Sequence, residues 1–411
     1  MSKTTTIPGG VTAAKGFEAA AAAAGIKYQG RTDMALICST VPCTAAGVFT
    51  SNVVKAAPVI WDRRIVRESD AKVQAVVVNS GIANACTGTE GMTVCEETAA
   101  AAAAALGIPA ESVLIGSTGV IGMQIPMERI RAGIDLLAAS KSASIGAGEA
   151  ASKAIMTTDT VNKQAAVQVQ LSGVTVTIGG MAKGSGMIHP GMCTMLAYVT
   201  TDAAVSKNLL QRAVSEIADD TFNMISVDGD MSTNDTLLVL ANGLAENPEI
   251  TAEGEAYEIF KSALFEVCRT LAMKMAGDGE GATRLIESQV LHMDTVPNAK
   301  ALAKSVIQSN LTKAAVFGRD ANWGRILCAL GYAGVSFDPD RVELSFEADG
   351  RRIVIFTGGK AADYSEEEAS ALLSKEKVTI LSDMNIGDAA ATAWGCDLTY
   401  DYVRINADYR S

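Results

Sequence analysis

The sequence predicts an α/β (α+β) protein with a large body and a smaller C-terminal α+β lobe. Two segments of the first half, residues 73–106 and 113–137, each run from a short apolar strand through a glycine-rich turn into a helix. From about residue 297 the pattern changes to alternating strands with a Glu-rich helix. The chain has 411 residues, of which 48% are hydrophobic, so it can form two lobes with a sizeable core.

The composition argues against several classes of partner. The formal net charge of −12 disfavours binding to nucleic acid or to an anionic membrane surface. No segment approaches the roughly 18 consecutive apolar residues of a membrane helix. The first residues show neither the apolar core of a signal peptide nor an Arg-rich transit character, so we expect a cytoplasmic protein. Only 19% of residues are charged, which favours an oligomer.

The cysteines and histidines do not have the spacing of a metal site. His189 and His292 are the only histidines and no Cys-x-x-Cys occurs, so no zinc site is expected and the cysteines are expected to be free thiols. The pattern Asp228-x-Asp230-x-Ser232 hints at a calcium loop. It lacks the glycine and the glutamate of such a loop, however, so a structural turn network is the favoured interpretation.

Elements of the first half surround two glycine-rich turns. A buried strand is predicted at 73–78 and a helix at 93–106. A second strand, 113–115, leads into G-S-T-G-V-I-G at 116–122, and a helix follows from Pro126 to about 137. A strand–turn–helix connection exposes backbone N–H groups that can hold an anion or an oxyanion, although a plain β–α turn has the same pattern.

Further elements follow from periodicity. We expect strands and helices in the remainder of the chain at these positions: strands 165–171, 174–178, 237–240, 342–346, 353–357, 378–383 and 398–406, and helices 206–219, 256–275, 299–308 and 364–375. The glycines at 277, 279 and 281 do not form G-x-G-x-x-G and follow no strand, so a dinucleotide site is not supported. No phosphate-binding G-x-x-x-x-G-K-[S/T] occurs, and no cofactor is expected.

The candidate chemistry lies near the middle of the chain. A glycine-rich turn leads to Cys193-Thr194, and the apolar run at 195–199 is predicted to be a buried strand. A threonine at the start of a strand is ordinary. If the peptide bond before Thr194 were cut, however, Thr194 would gain a free α-amine beside its own hydroxyl. That pair is the base and the nucleophile of an N-terminal threonine enzyme.

This segment resembles the self-cleavage segment of the ornithine acetyltransferase family, also called bifunctional glutamate N-acetyltransferase / amino-acid acetyltransferase. The family pattern is K-G-[SA]-G-M-I-x-P-x-M-A-T-M-L. The chain has K-G-S-G-M-I at 183–188, P-G-M at 190–192 and T-M-L at 194–196. It departs from the pattern at Cys193, where the family usually has alanine, and at Gly191, which is often asparagine. Other family motifs are S-T-G-V-I-G at 117–122, M-T-T-D at 156–159, G-D-G-E-G-A-T at 277–283 and the C-terminal segment.

The resemblance implies a fold and an activity. It implies layered sheets sandwiched by helices in an N-terminal-nucleophile-like enzyme, which cleaves itself into an alpha chain (1–193) and a beta chain (194–411). Acetyl would pass from N2-acetyl-L-ornithine to L-glutamate through an ester on Thr194, in arginine biosynthesis. Two copies of each chain would form a heterotetramer. Acetyl-CoA is left open as a second donor, and an N-terminal-nucleophile aminopeptidase or amidase is the alternative. A third interpretation is a non-catalytic protein that never cleaves, supported only by the unmatched Cys193 before Thr194.

The resemblance also assigns roles to individual residues. Thr118 and Gly119 would form the oxyanion hole. Substrate would be bound by Thr194 and by the following residues: Thr157, Lys183, Glu280, Asn406 and Ser411. Lys183 would hold the substrate carboxylate, and Glu280 would accept hydrogen bonds from the substrate ammonium. Thr158 is the other candidate for the role given to Thr157, and for either threonine a hydroxyl that only stabilises a turn is the plainer interpretation.

Overall fold

The computed structural model describes residues 4–189 and 195–407. Three predicted site residues, Cys193, Thr194 and Ser411, lie outside the described residues. The strands are β1 (Thr5–Thr6), β2 (Phe17–Ala22), β3 (Met34–Phe49), β4 (Val73–Asn79), β5 (Val113–Ser117), β6 (Lys163–Leu171), β7 (Val174–Lys183), β8 (Leu196–Thr201), β9 (Ile225–Ser226), β10 (Thr236–Ala241), β11 (Leu285–Met293), β12 (Glu343–Ala348), β13 (Arg351–Thr357), β14 (Lys360–Ala361), β15 (Lys377–Asp383) and β16 (Ala389–Cys396).

Helices connect many of these strands. They are α1 (Ala57–Glu68), α2 (Glu90–Leu106), α3 (Met127–Ser140), α4 (Ile145–Ala154), α5 (Lys207–Asp220), α6 (Glu255–Gly277), α7 (Val296–Gln308), α8 (Asn310–Gly318), α9 (Trp323–Gly331), α10 (Glu366–Leu373) and α11 (Tyr400–Ala407). Within the described part of the chain, no helix is both long enough and apolar enough to cross a membrane.

The chain forms two compact units. The first takes its described residues from Met1–Gly184, Gly191–Asn223 and Met231–Leu271, and the second from Ser185–Pro190, Met224–Asp230 and Ala272–Ser411. The predicted mixed α/β class with a smaller C-terminal α+β lobe is confirmed. The predicted division into chains 1–193 and 194–411 stays a prediction.

The first unit is built on a nine-stranded sheet of described residues. Its order is β1-β6-β7-β8-β10-β3-β4-β5, and β2 also pairs with β3. Only β8 with β10 and β4 with β5 run parallel among these pairs. In the antiparallel pair of β7 and β8, Lys183 lies opposite Leu196. The sheet therefore places the start of β8 beside the end of β7.

Helices of the first unit cover the apolar residues of this sheet. The strand β4 reads V-Q-A-V-V-V-N and is buried along most of its length, as expected for a strand between two neighbours. The helix α2 is rich in alanine and packs against α3, with Ala99 and Ala102 buried. Small side chains on α2 allow this close packing. The core of the unit also contains Met34, Trp61 and Tyr198.

The second unit contains a seven-stranded sheet of described residues. Its order is β14-β13-β12-β15-β11-β16-β9, in which β11 with β15 and β16 with β9 are parallel. The helix α7 packs on β11 and β16, and α10 packs on β12. Inside the sheet, Trp394 Nε1 donates to Glu287 Oε2 at 2.8 Å, so the buried indole N–H and carboxylate satisfy each other.

The prediction of a strand over 398–406 is wrong, because this segment forms the helix α11. The apolar residues that produced the alternation do not face a core: Tyr400 is 84% exposed and Val403 is 66% exposed. Helical spacing is supported instead by an ion pair between Arg404 and Asp401, three residues apart. A period-2 pattern over nine residues indicates a strand only when a sheet edge is available to pair with it.

Candidate functional site

The turn after β5 is held in one conformation by backbone contacts. The N–H of Thr118 donates to the carbonyl of Asn79 at 3.0 Å, and the N–H of Val120 donates to the carbonyl of Gly81 at 3.2 Å. Gly119 has a φ of +130°. A Cβ on Gly119 would lie 2.3 Å from the carbonyl carbon of Gly81, so only glycine fits at this position.

This turn presents two unused hydrogen-bond donors. Within residues 4–189 and 195–407, neither the N–H of Gly119 nor the hydroxyl of Thr118 has an acceptor. Thr118 is nevertheless buried. The carbonyl of Ser117 accepts a hydrogen bond from Asn234 Nδ2 at 2.8 Å, which further fixes the turn. Two neighbouring donors with no acceptor among the described residues are suited to stabilising an oxyanion.

The start of β8 is anchored by a buried carboxyl group. The N–H of Met195, the residue after Thr194, donates to Oδ1 of Asp235 at 3.0 Å. The carbonyl of Met195 accepts the N–H of Thr236 at 3.1 Å. Burial raises the pKa of Asp235 well above its ordinary value, an effect that the Met195 N–H opposes. The raised pKa favours the neutral carboxyl group, and Asp235 fixes the residue that follows the predicted cleavage position.

A second buried carboxylate connects two predicted substrate residues. Asp159 Oδ2 accepts the N–H of Thr157 at 3.1 Å and lies 3.8 Å from Lys183 Nζ. Asp159 Oδ1 accepts Lys163 Nζ and the N–H of Gly184, both at 2.7 Å. Burial alone would raise the pKa of Asp159, but the charges of Lys183 and Lys163 and the hydrogen bonds to Oδ1 outweigh it and lower the pKa. Asp159 is therefore ionised.

In the second unit, the two predicted residues Glu280 and Asn406 are in contact. Asn406 Nδ2 donates to Glu280 Oε2 at 2.7 Å. Glu280 is buried, and its N–H donates to the carbonyl of Ser185 at 2.9 Å. A Cβ on Gly186 would lie 2.4 Å from Oε2 of Glu280, so the glycine leaves the space that the carboxylate occupies. The helix α11, which was predicted to be a strand, thus places Asn406 in contact with Glu280.

Asp228 forms the turn network that was favoured over a calcium loop. Its carboxylate accepts the N–H of Met187 at 2.6 Å, of Ile188 at 2.9 Å and of Asp230 at 3.2 Å. Tyr402 Oη donates to Asp228 Oδ2 at 3.3 Å. Burial raises the pKa of Asp228, and the backbone hydrogen bonds oppose this rise. The Asp228 carboxylate thus accepts hydrogen bonds from the backbone of a turn and from Tyr402 of helix α11.

The similarity of this chain to known proteins extends over nearly its whole length. Residues 18–411 match the ArgJ family. The chain belongs to the ArgJ family. The arginine biosynthesis bifunctional protein ArgJ of Symbiobacterium thermophilum is 53% identical over 407 residues, covering 98% of this chain and 99% of that protein. The protein of the same name from Thermotoga neapolitana is 48% identical over 397 residues, covering 97% and 99%.

A solved structure is also similar. The crystal structure of arginine biosynthesis bifunctional protein ArgJ from Bacillus halodurans has 45% sequence identity and a TM-score of 0.49, and the match covers 51% of this chain and 97% of that one. The predicted family is confirmed by the family match and the relatives. The predicted enzyme class, an acetyltransferase of arginine biosynthesis, is confirmed with it.

Two residues of this ArgJ-family chain were missed by sequence reasoning. Asp159 ends the M-T-T-D motif, and its position inside a quoted motif was the only signal that could have singled it out. Asp235 carries no local signal, because its partner Met195 is 40 residues away in sequence.

Proposed function

We propose that this chain transfers acetyl from N2-acetyl-L-ornithine to L-glutamate through an acetyl ester on Thr194. The geometric observation that carries the proposal is the buried turn whose Thr118 hydroxyl and Gly119 N–H have no acceptor among the described residues. Family membership favours transfer over the alternative of hydrolysis by an aminopeptidase or amidase.

Self-cleavage would first create the nucleophile. Thr194 Oγ attacks the carbonyl carbon of Cys193, and the peptide nitrogen leaves, so that the acyl group moves from nitrogen to oxygen. Water then hydrolyses this ester. The first chain ends in the carboxylate of Cys193, and the second begins with Thr194 carrying a free α-amine.

In turnover, the α-amine of Thr194 would act as the base. It takes the proton of its own hydroxyl, and Oγ attacks the acetyl carbonyl of the donor. The developing oxyanion accepts hydrogen bonds from the Thr118 hydroxyl and the Gly119 N–H. The protonated amine then gives its proton to the departing ornithine nitrogen, which leaves acetyl on Oγ. Attack by the glutamate amine reverses these steps, so the kinetics are ping-pong.

The charged residues of the chain match the charges of an amino acid. The ammonium of the buried Lys183 would bind the substrate α-carboxylate, with the Thr157 hydroxyl beside it. Glu280 would accept hydrogen bonds from the substrate ammonium. Asn406 would hold the Glu280 carboxylate in place, since its Nδ2 donates to Glu280 Oε2 at 2.7 Å. Ser411 would complete the binding of the amino acid.

The word bifunctional in the names of the relatives supports acetyl-CoA as a second acetyl donor, and we propose it here too. No cofactor is required by the proposed steps, which use groups of the chain and of the substrates. A cytoplasmic location remains a prediction.

After cleavage, the alpha and beta chains would stay together. The strand β7 precedes the cut and pairs with β8 after it, and β3 likewise pairs with β10. Separation would break a continuous sheet. We propose a heterotetramer with two copies of each chain.

A direct test incubates the purified protein with N2-acetylornithine and glutamate. The proposal expects ornithine and N-acetylglutamate in equal amounts, with parallel double-reciprocal plots, and no turnover by Thr194→Ala. Release of free acetate in place of N-acetylglutamate would establish a hydrolase instead.

A further inference from the structure

We infer that Asp159 is a positioning residue: it sets the Lys183 ammonium and the Thr157 backbone, and so determines how strongly the enzyme selects substrates with an α-carboxylate. The inference rests on the proposed function, in which Lys183 and Thr157 bind the substrate. Nothing in the reaction requires Asp159 to touch the substrate itself.

The contacts of Asp159 reach both substrate-binding segments at once. One oxygen, Oδ2, accepts the N–H of Thr157 at 3.1 Å and faces Lys183 Nζ at 3.8 Å. The other, Oδ1, accepts the N–H of Gly184 at 2.7 Å. Because Gly184 directly follows Lys183, Asp159 fixes the backbone of this lysine as well as its ammonium.

Because Asp159 and Lys183 are buried, their contact determines the orientation of the Lys183 ammonium. The side chains of Asp159 and Lys163 are 0% exposed, and that of Lys183 is 4% exposed. Water therefore cannot orient the Lys183 ammonium, and fixed protein groups must do so. The separation of 3.8 Å makes the contact with Asp159 an ion pair and not a short hydrogen bond.

A purely structural role for Asp159 would need fewer contacts. Lys163 Nζ donates to Asp159 Oδ1 at 2.7 Å, and that pair by itself would place both charges in the interior. The remaining contacts of Asp159 all involve Thr157, Lys183 or the residue next to Lys183. The carboxylate thus joins the loop after α4 to the end of β7.

The test measures selectivity for the α-carboxylate in Asp159→Asn. The two donors are N2-acetylornithine and N-acetyl-1,4-diaminobutane, which is the same molecule without its α-carboxylate. We expect the ratio of their kcat/KM values to fall at least about tenfold, because a charge-assisted contact is lost. The loss should lie mainly in KM for N2-acetylornithine, and self-cleavage should still go to completion.

The matched control is Asp202→Asn. Asp202 is a buried carboxyl group at the other end of β8, and it accepts the N–H groups of Thr177 at 2.8 Å and Lys15 at 3.1 Å. This control should leave the ratio unchanged. If Asp159→Asn does not fold, the double variant Asp159→Asn/Lys163→Met removes one charge of each sign from the interior and should show the same loss of selectivity.

An unchanged ratio, whether or not both kcat/KM values fall, would overturn the inference while leaving the proposed function intact. A wild-type protein that transfers no acetyl from either donor would instead overturn the proposed function.

Discussion

The N–H of Met195 donates a hydrogen bond to Oδ1 of Asp235 over 3.0 Å. Met195 immediately follows Thr194, and Asp235 immediately precedes β10, the parallel neighbour of β8. The residue after the proposed nucleophile is therefore anchored to the adjacent strand by both backbone and side-chain contacts.

Asp235→Ala should slow self-cleavage by about tenfold, because it leaves the buried Met195 N–H without its acceptor. Asp235→Asn should cleave at a rate close to that of the wild type. Burial raises the pKa of Asp235 and so favours its neutral form, and an asparagine amide keeps the oxygen that accepts the Met195 N–H. The rate is read from the loss of intact chain on denaturing gels. Wild-type cleavage by Asp235→Ala would rule out this role.

Thr118→Ala should reduce kcat by roughly 10²–10³, the usual effect of removing one oxyanion donor. The KM should change little, since the backbone of the turn is held by the bond between the Thr118 N–H and Asn79. Thr118→Ser retains a hydroxyl and should recover most of the activity. Steady-state kinetics with N2-acetylornithine and glutamate decide the matter, and an unchanged kcat for Thr118→Ala would contradict the proposed oxyanion role.

Glu280→Gln should lower kcat/KM for N2-acetylornithine by about 10- to 100-fold, because a neutral amide makes weaker hydrogen bonds to a substrate ammonium. Asn406→Ala should have a smaller effect in the same direction, since it removes only the contact that holds the carboxylate. Both variants should still cleave themselves. Equal kinetics for wild type and Glu280→Gln would exclude the carboxylate from substrate binding.

Asp62→Asn should make stability less dependent on pH. Asp62 is fully buried, and burial raises its pKa well above 3.8, while the Ile115 N–H opposes the rise. The folded state therefore keeps this proton to higher pH than the unfolded state does. Stability from this group is present below the unfolded pKa and is lost as pH rises toward the folded pKa.

The substitution should reduce the slope of unfolding free energy against pH by up to about 1.4 kcal/mol per pH unit above pH 5. The measurement is denaturant unfolding between pH 5 and 8, made in an uncut Thr194→Ala background so that a single chain unfolds. Parallel curves for the two proteins would show that Asp62 is ionised in the folded state.

Local pattern was sufficient for much of the fold. The apolar strand at 73–78, the helix at 93–106 and the turn at 116–122 were predicted because their signals lie within a few adjacent residues. The structure places them as β4, as α2 and after β5. Motif resemblance likewise singled out Glu280 and Asn406, which the structure brings into contact.

The contacts that sequence reasoning missed join residues distant in the chain. Asp159 meets Lys183 across 24 residues, and Asp235 meets Met195 across 40. A local sequence pattern cannot predict such a pair, because the two residues are brought together only when the strands pair in the folded sheet. The error at α11 has a related cause, since among residues 4–189 and 195–407 no strand pairs with this segment.

The central claim is that Thr194 becomes an N-terminal nucleophile, and the most direct test is denaturing mass analysis of the purified wild-type protein with N-terminal sequencing. The account predicts two chains, residues 1–193 and a second chain that begins Thr-Met-Leu-Ala-Tyr. A single intact chain in an active preparation would contradict it, because Thr194 would then have no free α-amine to act as the base.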